Sequence, residues 1–453
     1  MTGGRGGRSA AVTVAVLCLV QFVDVLGVTS VVTAIPAILT GVRADPAAAG
    51  PLATTYAMFF GATLIIGARL GDRYGHRRIL LIGIVIFGGI SILGGTASGI
   101  VAILIVRSVQ GAAAALSAPS ALRLILHTVT DAAKRDRAIA AWSASGAAAG
   151  ATGFLVGGAL TSAIGWQAVF WVNVPVAAAL VALVVGFARD EPPQHERVRL
   201  DILGAVLLVM SVMPLIGGAA LLEQKGALLP AIGLIVLAGL FATAFVLRMR
   251  TAAAPLIPRA AFASRNLRRG TVQSFANTAA TSSSAVLATL VLQDLIELPA
   301  VLAGLTLMVF SIAVVAGSAA TARVATALGP DRLAAAGLAL VAIGTLVLAV
   351  TIGSVAGMVA GLATSGLGLA AASVAATRTG TAVPAALTGS AAGIVNTGAQ
   401  LGTAIGTAVI VLVATAFGTP TGWAAAAVIA LACAVWCVVR PRQEAEETVT
   451  ALP

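Results

Sequence analysis

The chain has 453 residues, of which 59% are hydrophobic and 9% are charged, and its formal net charge is +11. Soluble domains carry about 25% charged residues, and a soluble chain of this length would divide into domains joined by polar linkers. Here, apolar segments of about 20 residues follow one another, each long enough to cross a hydrocarbon layer of about 30 Å. This pattern excludes a soluble fold and predicts an all-α membrane protein whose surroundings are the lipid bilayer.

A positive net charge of this size would suggest nucleic-acid binding in a soluble protein. That interpretation fails here because the basic residues lie in short segments between the apolar ones. The cysteines Cys18, Cys433 and Cys437 lie inside apolar segments without metal-ligand spacing, which indicates core residues. We therefore expect no nucleic-acid partner and no metal site.

About 14 membrane spans are predicted along the chain. The first follows Arg5 and Arg8, as a signal peptide would, but its length and the missing cleavage site predict an uncleaved helix. The spans are placed near residues 11–35, 51–70, 79–99, 101–122, 138–162, 168–188, 202–222, 228–248, 271–292, 300–322, 333–352, 355–377, 388–414 and 421–440.

The basic residues predict the orientation of these spans. With the N-terminus in the cytoplasm, 24 of the 27 Lys and Arg residues fall in cytoplasmic segments. Only Arg43 and Lys225 fall in outer loops, and Arg107 lies inside a span. This asymmetry follows the positive-inside rule. We therefore expect a multi-pass protein of a bacterial inner (plasma) membrane with both termini in the cytoplasm.

An internal repeat is visible in the segments after the second and tenth spans, at a constant offset of 254 residues. Parallel repeats of this kind are typical of two-lobed transporters with a central site. The expected organisation is an N-terminal six-helix lobe (1–200), two inserted linker helices (201–250), a C-terminal six-helix lobe (251–440) and a cytoplasmic tail (441–453). The matching pairs are Ala68 and Ala322, Arg69 and Arg323, Gly75 and Gly329, and Arg78 and Arg332.

The loop between spans 2 and 3 reads GARLGDRYGHRR. It resembles the signature loop of the major facilitator superfamily, although Ala68 and His76 depart from that pattern. The resemblance implies a major facilitator fold and a gating loop, in which an acid near a helix end pairs with basic residues and with a neighbouring helix N-terminus. The residues carried over to this gating role are Asp72, Arg73, Gly75 and Arg77.

Other motifs resemble the 14-helix drug/proton antiporter branch of that superfamily. Span 4 carries Arg107, Gln110 and Gly111 in an R-x-x-Q-G pattern. Span 5 resembles the antiporter motif, but Phe154 stands where that motif has Pro. In span 1, Gly27 occupies the position of the usual acid. The glycines that make up the antiporter-type helix are Gly146, Gly150, Gly153, Gly157 and Gly158.

Two ionisable residues lie within the spans, Asp24 and Arg107, and such residues suggest function because they are costly in hydrocarbon. Both are placed roughly 20 Å from the cytoplasmic end of their helix, so we expect them to be able to pair. The hypothesis is that Asp24 binds a proton from outside and releases it inside, with Arg107 modulating its affinity. The alternatives are a static structural pair, or an Arg107 that holds an anionic substrate.

Polar residues in the spans are candidates for lining a substrate cavity, although a hydrogen bond that packs helices is at least as compatible with each. A single membrane carboxylate favours neutral, zwitterionic or weakly anionic substrates. The candidates are Gln21, Gln110, Gln273, Asn277, Asn396 and Gln400.

The resemblance implies a secondary active transporter that exports small organic molecules, such as drugs or antibiotics, in exchange for protons. The alternatives are uptake or facilitated diffusion of a dedicated metabolite, favoured by Phe154, and a non-transporting sensor, which would be expected to carry a soluble output domain. The spans show no catalytic motif and no nucleotide motif. We therefore expect no enzyme and no cofactor, and a monomer that needs no obligate protein partner. The expected energy source is an ion gradient, which the resemblance implies is a proton gradient.

Overall fold

A computed structural model describes residues 3–129, 131–188, 201–222, 227–253, 255–257, 259, 263–383 and 385–439. Within these ranges the chain is helical and contains no β-strand, which confirms the all-α prediction. Helices are the expected form because backbone polar groups in lipid must be paired within the spanning segment. The predicted tail, 441–453, lies outside the described residues.

The first half of the chain forms helices α1 to α7. Asp131 begins α5 by accepting a hydrogen bond from the amide of Lys134 at 3.0 Å, as an N-cap residue does. The helices are α1 (Gly3–Gly41), α2 (Ala49–Tyr74), α3 (His76–Gly95), α4 (Ile100–Thr128), α5 (Ala132–Ala163), α6 (Ala168–Trp171) and α7 (Asn173–Phe187), with a 3₁₀ turn at Pro46–Ala48.

The second half forms helices α8 to α15. Two of its spanning helices end in or contain a short π-helical segment, Val291–Leu295 and Gly402–Gly406. The helices are α8 (Ile202–Leu221), α9 (Leu228–Thr251), α10 (Arg265–Leu290), α11 (Ala300–Val350), α12 (Val355–Gly380), α13 (Ala385–Leu401), α14 (Thr407–Phe417) and α15 (Thr419–Val439).

Thirteen of the described helical segments are long and apolar enough to cross a membrane. The apolar segment of helix α8, Ile202–Gly218, is shorter than these thirteen. Counted with them, it gives 14 apolar helical segments, the number of spans predicted. Two predicted spans, 300–322 and 333–352, are joined in α11, which turns sharply at Gly329 (φ 69°). Gly75 has φ 92° between α2 and α3. Both members of this repeat pair therefore adopt the backbone region that favours glycine.

The helices pack into two groups. In the first, α1 packs against α5, and α2 and α3 pack against α4; Leu17, Leu80 and Ile125 are among its buried core residues. In the second, α11 packs against α12 and α15, and α10 against α12 and α13. These groups correspond to the predicted six-helix lobes, whose residue boundaries remain a prediction.

Helix α8 fills a groove between the two groups. Its apolar side chains share one buried cluster with Met58 of α2 and Ala408 of α14, and it packs against α9. Helix α9 lies on the outside of the bundle, where Leu229 and Leu240 are exposed. The inserted pair therefore has one helix between the lobes and one that faces lipid.

The lobes are in contact at the end of the bundle where α1 and α5 end and α11 begins. Gln293 Nε2 donates to the carbonyl of Thr33 at 2.9 Å. The amide of Val301 donates to Ser162 Oγ at 3.3 Å. Gly158 packs directly on the carbonyl of Ala300. These contacts join α1 and α5 to the segment that runs from α10 to α11.

Candidate functional site

Asp24 lies in the middle of α1 and is 8% exposed. Ser117 Oγ of α4 donates a hydrogen bond to Asp24 Oδ2 at 2.9 Å. The backbone carbonyl of Asp24 accepts a hydrogen bond from the Tyr56 hydroxyl of α2 at 3.4 Å. A carboxyl group thus lies at the junction of three helices of the first lobe, with one side-chain donor.

Arg107 of α4 is 1% exposed. Its Nη1 donates to the carbonyl of Gly27 at 3.0 Å and to Gln110 Oε1 at 3.2 Å. The guanidinium also stacks on the Tyr56 ring, 4.7 Å from the ring centroid, a favourable cation–π geometry. The Gly27 carbonyl of α1 and the Tyr56 ring of α2 therefore both contact the charged guanidinium of Arg107.

Asp24 and Arg107, which the sequence predicts to be able to pair, form no ion pair in this conformation among the residues that the structure describes. The depth estimate counted residues along each helix, and such counts do not fix the level at which α1 and α4 pack against each other. Asp24 contacts Ser117 instead, ten residues further along α4, or about 15 Å along the helix axis.

Gly27 marks the position of the acid that the resemblance implies. Arg107 bonds to its backbone carbonyl, and a Cβ at this position would come within 3.0 Å of the Phe87 ring. A carboxylate there would require Phe87 to move. Asp24 lies about one helical turn from Gly27 on α1, and Arg107 reaches the Gly27 position.

Burial of Arg107 also bears on its predicted alternative roles. With 1% exposure it contacts no solvent-accessible space in this conformation, so the geometry does not support direct binding of an anionic substrate. The alternative of a static structural pair requires a contact between Asp24 and Arg107. In this conformation the carboxylate of Asp24 instead accepts a hydrogen bond from Ser117.

The predicted gating loop keeps its described contacts within the first lobe. Asp72 Oδ1 lies 3.1 Å from His76 Nε2, and Arg73 stacks on the Tyr74 ring. Arg77 donates to the carbonyl of Val185 in α7 at 2.9 Å. Gly75 supplies the turn. Pairing of Asp72 with another helix N-terminus stays a prediction for a different conformation.

The predicted glycine helix, α5, presents glycines on two faces. One face packs on α1: Gly146 meets Gln21, Gly153 meets Thr29, and Gly157 meets Ser30. Because a Cβ at Gly153 or Gly157 would overlap its neighbour on α1, glycine at these positions permits the close approach of the two helices.

The other glycine face of α5 packs on α11 of the second lobe. Gly150 lies near Ser311, and Gly158 meets Ala300. Gly304 of α11 in turn packs on the carbonyl of Phe154, the residue in the usual Pro position. Helix α5 therefore packs closely on α1 within the first lobe and on α11 of the second lobe.

Three of the predicted cavity residues pack helices within a lobe. Gln110 Nε2 donates to Ser91 Oγ at 2.8 Å, and Gln273 Nε2 lies 3.2 Å from Cys437 Sγ. Asn277 Nδ2 donates to the carbonyl of Leu369 at 3.2 Å. All three are buried, so we correct their assignment from cavity lining to helix packing in this conformation.

The remaining cavity candidates, Gln21, Asn396 and Gln400, are partly exposed. Gln400 packs on Gly61 between α2 and α13, where the lobes meet. Cavity lining stays a prediction for these three residues.

Sequence reasoning missed Ser117 and Tyr56. Serine and tyrosine carry no charge and occur singly in apolar spans, so neither gave a signal comparable to Asp24. Tyr56 is one of only two tyrosines in the chain, which was the available hint.

The family described as the Major Facilitator Superfamily matches residues 17–259 and 271–451. The chain belongs to the Major Facilitator Superfamily. Among solved structures, the nucleoside transporter NupG matches with a TM-score of 0.68 and 12% identity over 94% of this chain and 99% of that one. This likeness shows the fold, and it confirms the predicted major facilitator architecture.

Curated relatives within the superfamily include antibiotic export and resistance proteins. The cephamycin export protein CmcT of Amycolatopsis lactamdurans is 34% identical over 57% of this chain and 54% of its own length. The lincomycin resistance protein of Streptomyces lincolnensis is 31% identical over 74% of this chain and 69% of its own length. The matches thus span about half to two thirds of these relatives.

Proposed function

We propose that this superfamily member exports small organic molecules across a bacterial plasma membrane in exchange for protons, and that Asp24 carries the proton. The observation that carries the proposal is the buried carboxyl of Asp24, which accepts a hydrogen bond from Ser117 and has no cationic partner among the described side chains. An unpaired acid in a membrane span can exist neutral as well as charged, as a proton carrier requires.

The relatives support the direction and the substrate class. Proteins named for cephamycin export and lincomycin resistance point to efflux of antibiotic-like molecules. The isolated membrane carboxylate favours neutral, zwitterionic or weakly anionic cargo over dications.

The contact between the lobes supports a cycle of alternating access. If the termini are cytoplasmic, as the positive-inside rule predicts, the end closed by Gln293, Ser162 and Gly158 faces outward. This conformation would receive substrate from the cytoplasm. Opening of the α5–α11 contact would then expose Asp24 and the cargo to the outside, where the proton binds.

The test uses inverted membrane vesicles with an acidic interior, in which exported substrate moves inward and protons move out. A cephamycin, a lincosamide and hydrophobic dyes form the panel. We expect substrate-dependent alkalinisation of the interior with the native protein and none with Asp24→Asn.

Asp45→Asn is the matched control, because Asp45 is an exposed acid at the N-cap of the 3₁₀ turn. It should retain native alkalinisation. Substrate uptake into vesicles at the full native rate by Asp24→Asn, still driven by the pH gradient, would rule out Asp24 as the carrier. Substrate movement without any proton movement in the native protein would indicate facilitated diffusion.

A further inference from the structure

A cavity of about 270 Å³ lies where α10 begins and α15 ends. It is remote from Asp24 and plays no part in the proposed transport cycle. Its lining residues come from both helices and are predominantly basic. They are Arg265, Arg268, Arg269, Val272 and Trp436.

Arg269 forms the fixed floor of this cavity. Its side chain is 3% exposed and donates to Asp331 Oδ1 at 2.8 Å. The guanidinium stacks on Trp436, 4.9 Å from the ring centroid. One guanidinium and one indole are therefore held in a set orientation before any ligand arrives.

Arg265 and Arg268 are exposed at the mouth of the cavity. Neither has an ion-pair partner among the residues that the structure describes. Asp331 balances one of the three positive charges, so the cavity retains an excess of positive charge. Arginine binds phosphate through planar, bidentate hydrogen bonds, which makes a phosphate-bearing anion the matching ligand.

Apolar side chains are exposed on both of the helices that line the cavity. Val272 on α10 is 48% exposed and Val438 on α15 is 61% exposed. Exposed aliphatic side chains on spanning helices contact acyl chains, and tryptophan concentrates at the membrane interface. The cavity thus combines basic residues with a lipid-facing surface, as a headgroup site does.

We propose that this cavity binds the phosphate of an anionic phospholipid, with Arg265 and Arg268 on the headgroup and the acyl chains along Val272 and Val438. A soluble phosphate compound shares the headgroup chemistry but would gain nothing from the valines. Binding at this site would make the second lobe respond to the amount of anionic phospholipid in the adjacent membrane leaflet.

The test is native mass spectrometry of the full-length protein titrated with phosphatidylglycerol or with phosphatidylcholine. We expect the native protein to retain phosphatidylglycerol at a roughly ten- to thirtyfold lower lipid concentration. The double variant Arg265→Gln/Arg268→Gln should lose this preference, and both exposed positions allow the replacement without loss of packing. Excess inorganic phosphate should leave the lipid bound.

The double variant Arg123→Gln/Arg378→Gln is the charge-matched control, since both arginines are exposed and neither lines the cavity. It should keep the native preference. Equal retention of the two lipids by the native protein would overturn the proposal, as would equal losses in both double variants. Complete displacement by inorganic phosphate would identify a site for soluble anions instead.

Discussion

Ser117 Oγ donates to Asp24 Oδ2 at 2.9 Å, and the same hydroxyl lies 3.1 Å from the carbonyl of Ala114 on its own helix. A hydroxyl carries one proton and can donate to one acceptor at a time. It can serve the carboxylate when Asp24 is charged and turn to the carbonyl when Asp24 is neutral. Ser117 is therefore a positioning residue whose hydrogen bond favours the charged acid.

Replacement of Ser117 by alanine should change the pH dependence of antiport. Removal of a donor to a carboxylate disfavours its charged form, so Ser117→Ala should move the half-maximal pH of exchange upward. A hydrogen bond to a charged group contributes about 1.5–3 kcal/mol, which corresponds to a shift of about one pH unit or more. The measurement is the rate of substrate-dependent proton movement in vesicles across a pH series.

Ser120→Ala provides the control, because Ser120 is buried on the same helix and its Oγ has no hydrogen-bond partner in the described structure. Its pH profile should match the native one. If both variants shift equally, or neither shifts, Ser117 does not act on Asp24.

Two adjacent glycines of α5 should have separable effects. Gly158 packs on Ala300 of the other lobe, whereas Gly157 packs on Ser30 within the first lobe. An added methyl at a close backbone contact costs about 1–3 kcal/mol. Gly158→Ala should therefore weaken the contact between lobes and favour opening at that end, and Gly157→Ala should lower the stability of the first lobe itself.

The readout for the glycine pair is labelling of Thr33→Cys by a membrane-impermeant maleimide, since Thr33 is buried at the closed end. Gly158→Ala should raise the labelling rate several-fold without a matching loss of thermal stability. Gly239→Ala, with open space around the glycine, should change neither quantity. An unchanged labelling rate in Gly158→Ala would show that this contact does not control opening.

We expect Asp201 to contribute most of the polar stabilisation of the inserted helices α8 and α9. Its buried carboxylate accepts hydrogen bonds from the amides of Gly204 and Leu256, each at 3.1 Å, and from Arg248 Nε at 3.0 Å. It thereby joins the start of α8 to α9 and to the segment that follows. Asp201→Ala leaves these donors unpaired and should cost about 3 kcal/mol, seen as a lower thermal unfolding midpoint of the purified protein.

Arg248→Gln is the comparison for Asp201. The side chain of Arg248 is 37% exposed, and exposed ion pairs contribute about 1 kcal/mol or less. Its unfolding midpoint should fall by much less than that of Asp201→Ala. If both variants lowered the unfolding midpoint equally, the ion pair with Arg248, and not the two backbone hydrogen bonds, would be what stabilises the inserted helices.

The sequence alone was sufficient to predict the helical class, the spans and the family. Hydrocarbon requires long apolar helices, so span positions follow from hydropathy. The glycines at 75 and 329 were matched by sequence repeat, and both adopt positive φ. Asp24 and Arg107 stood out because ionisable residues are rare in spans.

The tertiary structure decided what those residues contact. Helix rotation and helix length are set by packing, which a hydropathy profile does not contain. The packing of α4 against α1 brought Ser117, and not Arg107, to Asp24. In the same way, Gln110, Gln273 and Asn277 proved to be helix-packing residues because neighbouring helices cover them. Composition determined that this chain spans a membrane, and only side-chain packing between helices decided which polar groups meet inside it.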